Sequence, residues 1–334
     1  MFIFTNRNLQ EDEEGFDQFG DLVNPKGPNE LRVVEVTRDN GDWTVDILNE
    51  NEVALSAKER ERLGLAPDEP ALPSHRAVLD TVDAMVSHKR NLVVFIHGYS
   101  NDMESVVERC QELRENYDLE VLAFSWPTDS GGGAVTRYKS DKMDAQASAG
   151  AVERTLAKLK ALLKQLIDPE SDLRITLFMH SMGAYLYENL MRMGDPSGHA
   201  YLFDNVVMVA PDCNTEDHAV WINKIKAAGR VFVCINERDR ALRFSEDMHG
   251  REQLPRLGQH RYDLPKSRAH YIDFTDTKRV RSSHSYFEGR VLKNEDVKKF
   301  FKAAFNGEDA EETTDGYIPH YNYYRVKRFN RTLG

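Results

Sequence analysis

Residues Arg174 to Tyr187 constrain the chain more than any other stretch. An apolar, strand-like segment, Ile175 to Met179, runs through His180-Ser181-Met182-Gly183 into a helical pattern carrying Ala184, Leu186, Leu190 and Met191. A serine at an abrupt strand-to-helix turn is held above a sheet edge, where the N–H groups of the helix start can meet an oxyanion. Ser181 is therefore a candidate nucleophile, and the remaining chain is read for its partners.

The flanking pattern is alternating. Asn91-Leu-Val-Val-Phe-Ile96 is a continuous apolar run, as expected of a strand covered on both faces of a parallel sheet. It ends in His97-Gly98-Tyr99-Ser100 and is followed by a helix with Val106, Val107, Cys110 and Leu113. Strands are expected at 121–125, 206–210, 231–235 and 271–274, and helices at 140–167, 216–228 and 294–305. Strands separated by helices predict an α/β fold with a mostly parallel sheet and helices on both faces.

The N-terminal residues 1–89 read as a small β-rich extension that joins the sheet edge. It has short strands at 2–5, 31–37 and 43–48, the last two turning at Asn40-Gly41, which supplies positive φ. Glu11 to Glu14 is a solvated charge run, a short helix is expected at 56–63, and Pro67, Pro70 and Pro73 punctuate a linker before a helix at 74–87. Residues 90–305 are expected to form the catalytic core. The C-terminal tail, 306–334, is acidic at Glu308 to Glu312, then aromatic and basic through Tyr317, Tyr321, Tyr323, Tyr324, Arg325, Lys327 and Arg328. It is compatible with a packed strap or with disorder.

The chain has 334 residues, enough for a substantial core, and a formal net charge of −11, which argues against nucleic acid as the main partner. Cys110, Cys213 and Cys234 are odd in number and widely spaced, so they read as small buried hydrophobes in a reducing compartment. No apolar run is long enough for a membrane span and the N-terminus has no secretory pattern, so cytoplasmic residence is the expectation. No sequence feature specifies an oligomeric state. His199, His218, His249, His260 and His270 lack metal-ligand spacing, and neither metal nor cofactor is expected. Ser130-Gly-Gly-Gly133 lacks the Lys-Ser/Thr ending of a phosphate loop and reads as a mobile loop near the site mouth.

Open parallel sheets place their chemistry just beyond the carboxyl ends of strands. Three further strand ends carry suitable groups: Asn236-Glu-Arg-Asp239, Ser282-Ser-His284 and His97-Gly98-Tyr99. With Ser181 as nucleophile, His284 would take its proton and Asp239 would hold the imidazole in the needed tautomer. The N–H groups of Met182 and Tyr99 would form an oxyanion hole, with Gly98 permitting the close backbone approach. Asp212, in Ala-Pro-Asp at another strand end, is the alternative acid, with Glu237 a lesser one; Asp212 also suits the N-cap region of the helix expected at 216–228. His97 is expected to orient the oxyanion loop and His180 to pack beside the turn. Gly98 and Trp126 are assigned to the substrate wall, Trp126 and Pro127 having core packing as their other reading.

Together His97-Gly98-Tyr99, Phe124-Ser-Trp-Pro127, Met179-His-Ser-Met-Gly183, Ala210-Pro-Asp212, Asp239-Arg-Ala-Leu242 and His284-Ser-Tyr286 resemble the α/β-hydrolase superfamily. Within it, the chain resembles a branch of largely uncharacterised bacterial serine hydrolases grouped as a domain of unknown function. The similarity spans about residues 90 to 305; before it only Phe4-Thr-Asn-Arg-Asn8 matches, loosely. The resemblance implies an eight-stranded α/β-hydrolase core and hydrolysis of an ester or related acyl group, with no fixed substrate. Two departures stand out: Met179 replaces the first glycine of the usual Gly-x-Ser-x-Gly turn and requires extra room, and two acids compete. The leading expectation is a serine hydrolase acting on a small-molecule carboxylic ester or thioester. The segment 244–268, rich in Arg and His, is expected to serve as a lid or anion-selecting wall, with Arg243 and Arg251 as its tests. A non-catalytic binding protein on this scaffold and an acyltransferase are the alternatives.

Overall fold

The computed structural model describes residues 1–48, 53–128, 133–194, 196–248, 255–260, 264, 266–318 and 322–326. Ser130, Gly131 and Gly132 of the expected mobile loop, His249 and Arg251 of the expected lid, and Tyr321, Lys327 and Arg328 of the tail lie outside the described residues. The chain divides into two compact units, Met1–Arg174 with Ser197–His199, and Ile175–Pro196 with Ala200–Gly334.

In the first unit, strand β1 (Phe2–Thr5) is buried at all four positions and is paired on both sides. It runs parallel to β7 (Glu120–Ser125) and antiparallel to β4 (Arg32–Asp39). β4 turns through Asn40 (φ 51°) and Gly41 (φ 101°) into β5 (Asp42–Ile47), the hairpin anticipated from Asn-Gly. The short pair β2 (Arg7–Leu9) and β3 (Phe19–Val23) was not anticipated; its charged and glycine-containing segments carry no alternating apolar signal. Helix α1 (Ala57–Arg62) is capped by Ser56. Helix α2 (Pro73–His88) begins at Pro73 itself, whose fixed φ suits a first helical turn, so that proline starts a helix instead of extending the linker. β6 (Leu92–Ile96), wholly buried, pairs in parallel with β7, and α3 (Met103–Tyr117) lies between them in sequence.

The helix expected at 140–167 is two helices, α4 (Ala134–Ala147) and α5 (Ala149–Leu166). The break falls at Ser148, whose buried hydroxyl accepts a hydrogen bond from Asn6 Nδ2 at 2.9 Å. That contact comes from 142 residues away, so no local pattern announces it.

The second unit holds β8 (Ile175–His180), β9 (Asn205–Val209), β10 (Val231–Ile235) and β11 (Ala269–Asp273), paired in parallel in that order. α6 (Met182–Met193) follows β8, and α9 (Glu295–Phe305), capped by Asn294, packs on β8 and β9. The helix expected at 216–228 shrinks to α7 (His218–Ile222), while α8 (Arg240–Asp247) was not foreseen. The described part of the tail is ordered into β12 (Gly316–Ile318) and β13 (Tyr323–Arg325), with β13 parallel to β11. Arg230 fastens it through Glu311 at 2.6 Å and Asp309 at 3.0 Å, and Tyr323 donates its hydroxyl to Asp273. No described helix is long and apolar enough to cross a membrane.

Candidate active site

All six residues of β8 are buried, and the next residue, Ser181, takes φ 53° and ψ −118° before α6 begins. A left-handed φ on a non-glycine costs on the order of 1–3 kcal/mol and persists only when its surroundings fix it. Three backbone hydrogen bonds do so. Ser181 N–H donates to Val209 O at 3.0 Å, and Ser181 O accepts from the N–H groups of Asp212 at 3.1 Å and Ala184 at 3.0 Å. The serine side chain does not cap α6. Met182 contributes the first N–H of that helix, which has no intrahelical partner. Met179, in place of the usual glycine, is fully buried opposite Met208 of β9, and the tight turn forms with it there.

Asp239 stands at the N-terminus of α8, four residues past the end of β10. Its buried carboxylate has two assignments. Oδ1 accepts the N–H groups of Ala241 (2.9 Å) and Leu242 (3.1 Å), and Oδ2 lies 2.7 Å from His284 Nδ1. A carboxylate only accepts, so Nδ1 carries the proton and a neutral His284 presents a lone pair at Nε2. The loop before His284 is fixed by Asn236, whose side-chain amide donates to Arg281 O (3.0 Å) and Ser283 O (2.8 Å). The His284 ring packs on the ring of His180, centroids 4.7 Å apart, and His180 in turn meets Phe287 edge-on. His180, the residue before Ser181, therefore packs beside the turn and against the His284 ring.

Asp212 is placed differently. It is buried, accepts the Ser245 hydroxyl at 2.5 Å and lies 3.4 Å from Nε of Arg256, which is itself buried. It caps no helix: α7 begins later, after Asp217. Of the two competing acids, Asp239 is the one bonded to His284.

In the first unit, His97 is fully buried at the end of β6. Its Nδ1–H donates to Gly98 O (2.9 Å), and Nε2 accepts the Trp126 N–H (3.1 Å). That pattern needs the neutral ring, and burial, reinforced by the nearby Arg7 charge, pushes the His97 pKa well below the usual histidine value. Trp126 is fully buried, stacks on His97 at 5.2 Å and donates its indole N–H to His97 O (3.0 Å). Of its two readings, these contacts are those of core packing. Asn101 bridges Gly98 O and Tyr99 O with one amide group. Asn101 O receives Arg7 Nη2–H (2.5 Å) and the Thr128 hydroxyl (2.6 Å). Arg7, Asn101 and Thr128 were missed as supports of this loop. The signal available for Arg7 was Asn6-Arg-Asn8, a polar run directly after an apolar strand.

The cysteines offer no competing nucleophile. All three are buried and free, and burial raises the Cys110 thiol to about 12 and those of Cys213 and Cys234 well above their ordinary range. Within the expected lid, 255–260 is a pinned strap: its backbone bonds to Thr215, Cys213, Pro211 and Asn236. Arg256 is thereby a buried pairing residue and no part of a surface wall.

Residues 75–303 match the model of a family described as an alpha/beta hydrolase of unknown function (DUF900). No curated protein matches the chain.

Proposed function

Because the chain belongs to this family of α/β hydrolases of unknown function, we propose that it is a serine hydrolase that cleaves a carboxylic ester or thioester through an acyl-enzyme. The observation that carries the proposal is the 2.7 Å bond between buried Asp239 and His284, in the same unit as a serine held in a left-handed strand-to-helix turn.

In this reading, Ser181 Oγ attacks the substrate carbonyl carbon as its proton passes to His284 Nε2. The Nδ1–H···Asp239 bond keeps the ring in the required tautomer and stabilises the imidazolium. The carbonyl electrons move onto oxygen, which the Met182 N–H receives; one such donor is typically worth about 100–1,000-fold in rate. Collapse expels the alcohol or thiol, which takes the proton from His284. Water then repeats the sequence on the acyl-serine, releasing a carboxylic acid and restoring the hydroxyl. The role of Tyr99 as a second donor rests on the sequence pattern alone.

A fluorophosphonate probe tests the proposal. The native protein is expected to be labelled at Ser181, and Ser181→Ala is expected to remain unlabelled while folding normally. A native protein left unmodified, or equal labelling of the variant, refutes it.

A further inference from the structure

The peptide of Ser181 is gripped by the segment that leaves β9. Val209 O takes its N–H, and Asp212 N–H binds its carbonyl. Between these contacts Ala210 adopts φ 48°, a second left-handed non-glycine, so the gripping segment is itself held in a costly shape.

Its support comes from the strap at 255–260. Thr215 N–H donates to Pro255 O (2.8 Å), Leu257 N–H to Cys213 O (2.9 Å) and Gly258 N–H to Pro211 O (3.1 Å). Gly258 approaches so closely that a Cβ there would stand 2.5 Å from the carbonyl carbon of Ala210. The buried Arg256 guanidinium donates through Nε to Cys213 O and through Nη2 to Asn214 Oδ1, with Asp212 Oδ1 3.4 Å from Nε.

The same Asp212 oxygen accepts the Ser245 hydroxyl, and Ser245 lies on α8, the helix that Asp239 caps. Glu246 of that helix accepts the Arg256 N–H at 3.0 Å. One buried ion pair thus reaches the peptide of Ser181 on one side and the helix of Asp239 on the other.

We propose that Asp212 and Arg256 are positioning residues that set the Ser181 turn and the Asp239 helix in register, an inference that rests on the roles proposed for Ser181 and Asp239. A buried pair is a poor way to gain stability, since apolar side chains of similar volume do as well or better. What it supplies is direction: the carboxylate and guanidinium satisfy each other and their neighbours in one arrangement.

The test uses the full chain with Asp212→Asn, Arg256→Met and Arg256→Lys. Amide hydrogen exchange at Ser181 and Asp212 reads the grip without reference to activity. Fluorophosphonate labelling, resolved into a maximal rate and a half-saturation concentration at a temperature where all variants are folded, reads its catalytic consequence. We expect Asp212→Asn and Arg256→Met to speed exchange at both amides by about tenfold, with the amides of β10 unchanged. We expect the maximal labelling rate to fall by about tenfold or more with half-saturation nearly constant, and Arg256→Lys to recover part of the loss.

Exchange that stays at the native value at Ser181 and Asp212 overturns the proposal. So does a uniform rise across the unit with an undiminished labelling rate per folded molecule, the signature of a role in stability alone. If the native protein is not labelled at all, the hydrolase reading fails, and the exchange measurement still decides whether the pair grips the turn. If Arg256→Met does not fold, the near-isosteric Asp212→Asn gives the answer.

Discussion

Asp239 divides its carboxylate between two duties, with Oδ2 2.7 Å from His284 Nδ1 and Oδ1 capping helix α8 through Ala241 and Leu242. Asparagine caps helices about as well as aspartate, so Asp239→Asn separates charge from capping. On the function proposed above, we expect turnover to fall by about 10,000-fold, the loss that follows when the orienting acid of a Ser-His-Asp triad is neutralised, with melting temperature nearly unchanged. Ester hydrolysis and a thermal melt on the same preparation check both halves.

The pH dependence of stability follows from histidines kept neutral by burial. His97 is held well below its usual pKa and His199 is lowered to about 4, whereas both titrate near ~6.5 when unfolded. Below ~6.5 the unfolded chain takes up protons that the folded chain refuses, so stability is full above that value and is lost as pH falls towards the folded pKa. Each such group contributes a slope of up to about 1.4 kcal/mol per pH unit. Urea unfolding at several pH values between about 4 and 7 is expected to show a shallower dependence for His199→Gln than for the native chain.

Gly258→Ala is expected to destabilise the fold by about 1–3 kcal/mol, the usual cost of forcing a methyl into filled space. The obstruction is backbone, with Ala210 C at 2.5 Å and Pro211 N at 2.6 Å from the new Cβ, so no rotamer relieves it. Denaturant titration measures the change.

Arg7 donates to Asn101 O, to Gly20 O at 3.2 Å and to the Ser125 hydroxyl at 2.9 Å while almost wholly buried. Arg7→Met would leave those acceptors without that donor, a loss of on the order of 3 kcal/mol. The expected readout is a lower urea midpoint with an unchanged slope.

The three thiols, buried and shifted upward, are expected to resist a thiol-reactive disulfide reagent in the native protein and to react fully once it is unfolded. Rapid native modification would contradict their placement.

The sequence by itself determined the buried strands of the parallel sheet and the order of the groups at their ends, but not the short strands β2, β3, β12 and β13. Runs such as Leu92–Ile96 and Val231–Ile235 are apolar throughout because both faces are covered, and that pattern is local. The place of the turn at Ser181 is local too, because a strand-like run passes directly into a helical one there, but its left-handed shape is held by Val209 and Asp212 from the next strand end. Tertiary structure decided everything that depends on a distant partner. Asn6 meets the hydroxyl at the Ser148 break, Arg7 supports Asn101, and the choice between two acids turned on Asp212 meeting Arg256 while Asp239 met His284. Residue type and spacing say that a carboxylate stands at a strand end. Only the folded chain says which cation or imidazole its oxygens face, because that contact spans 44 residues in one case (212 to 256) and 45 in the other (239 to 284).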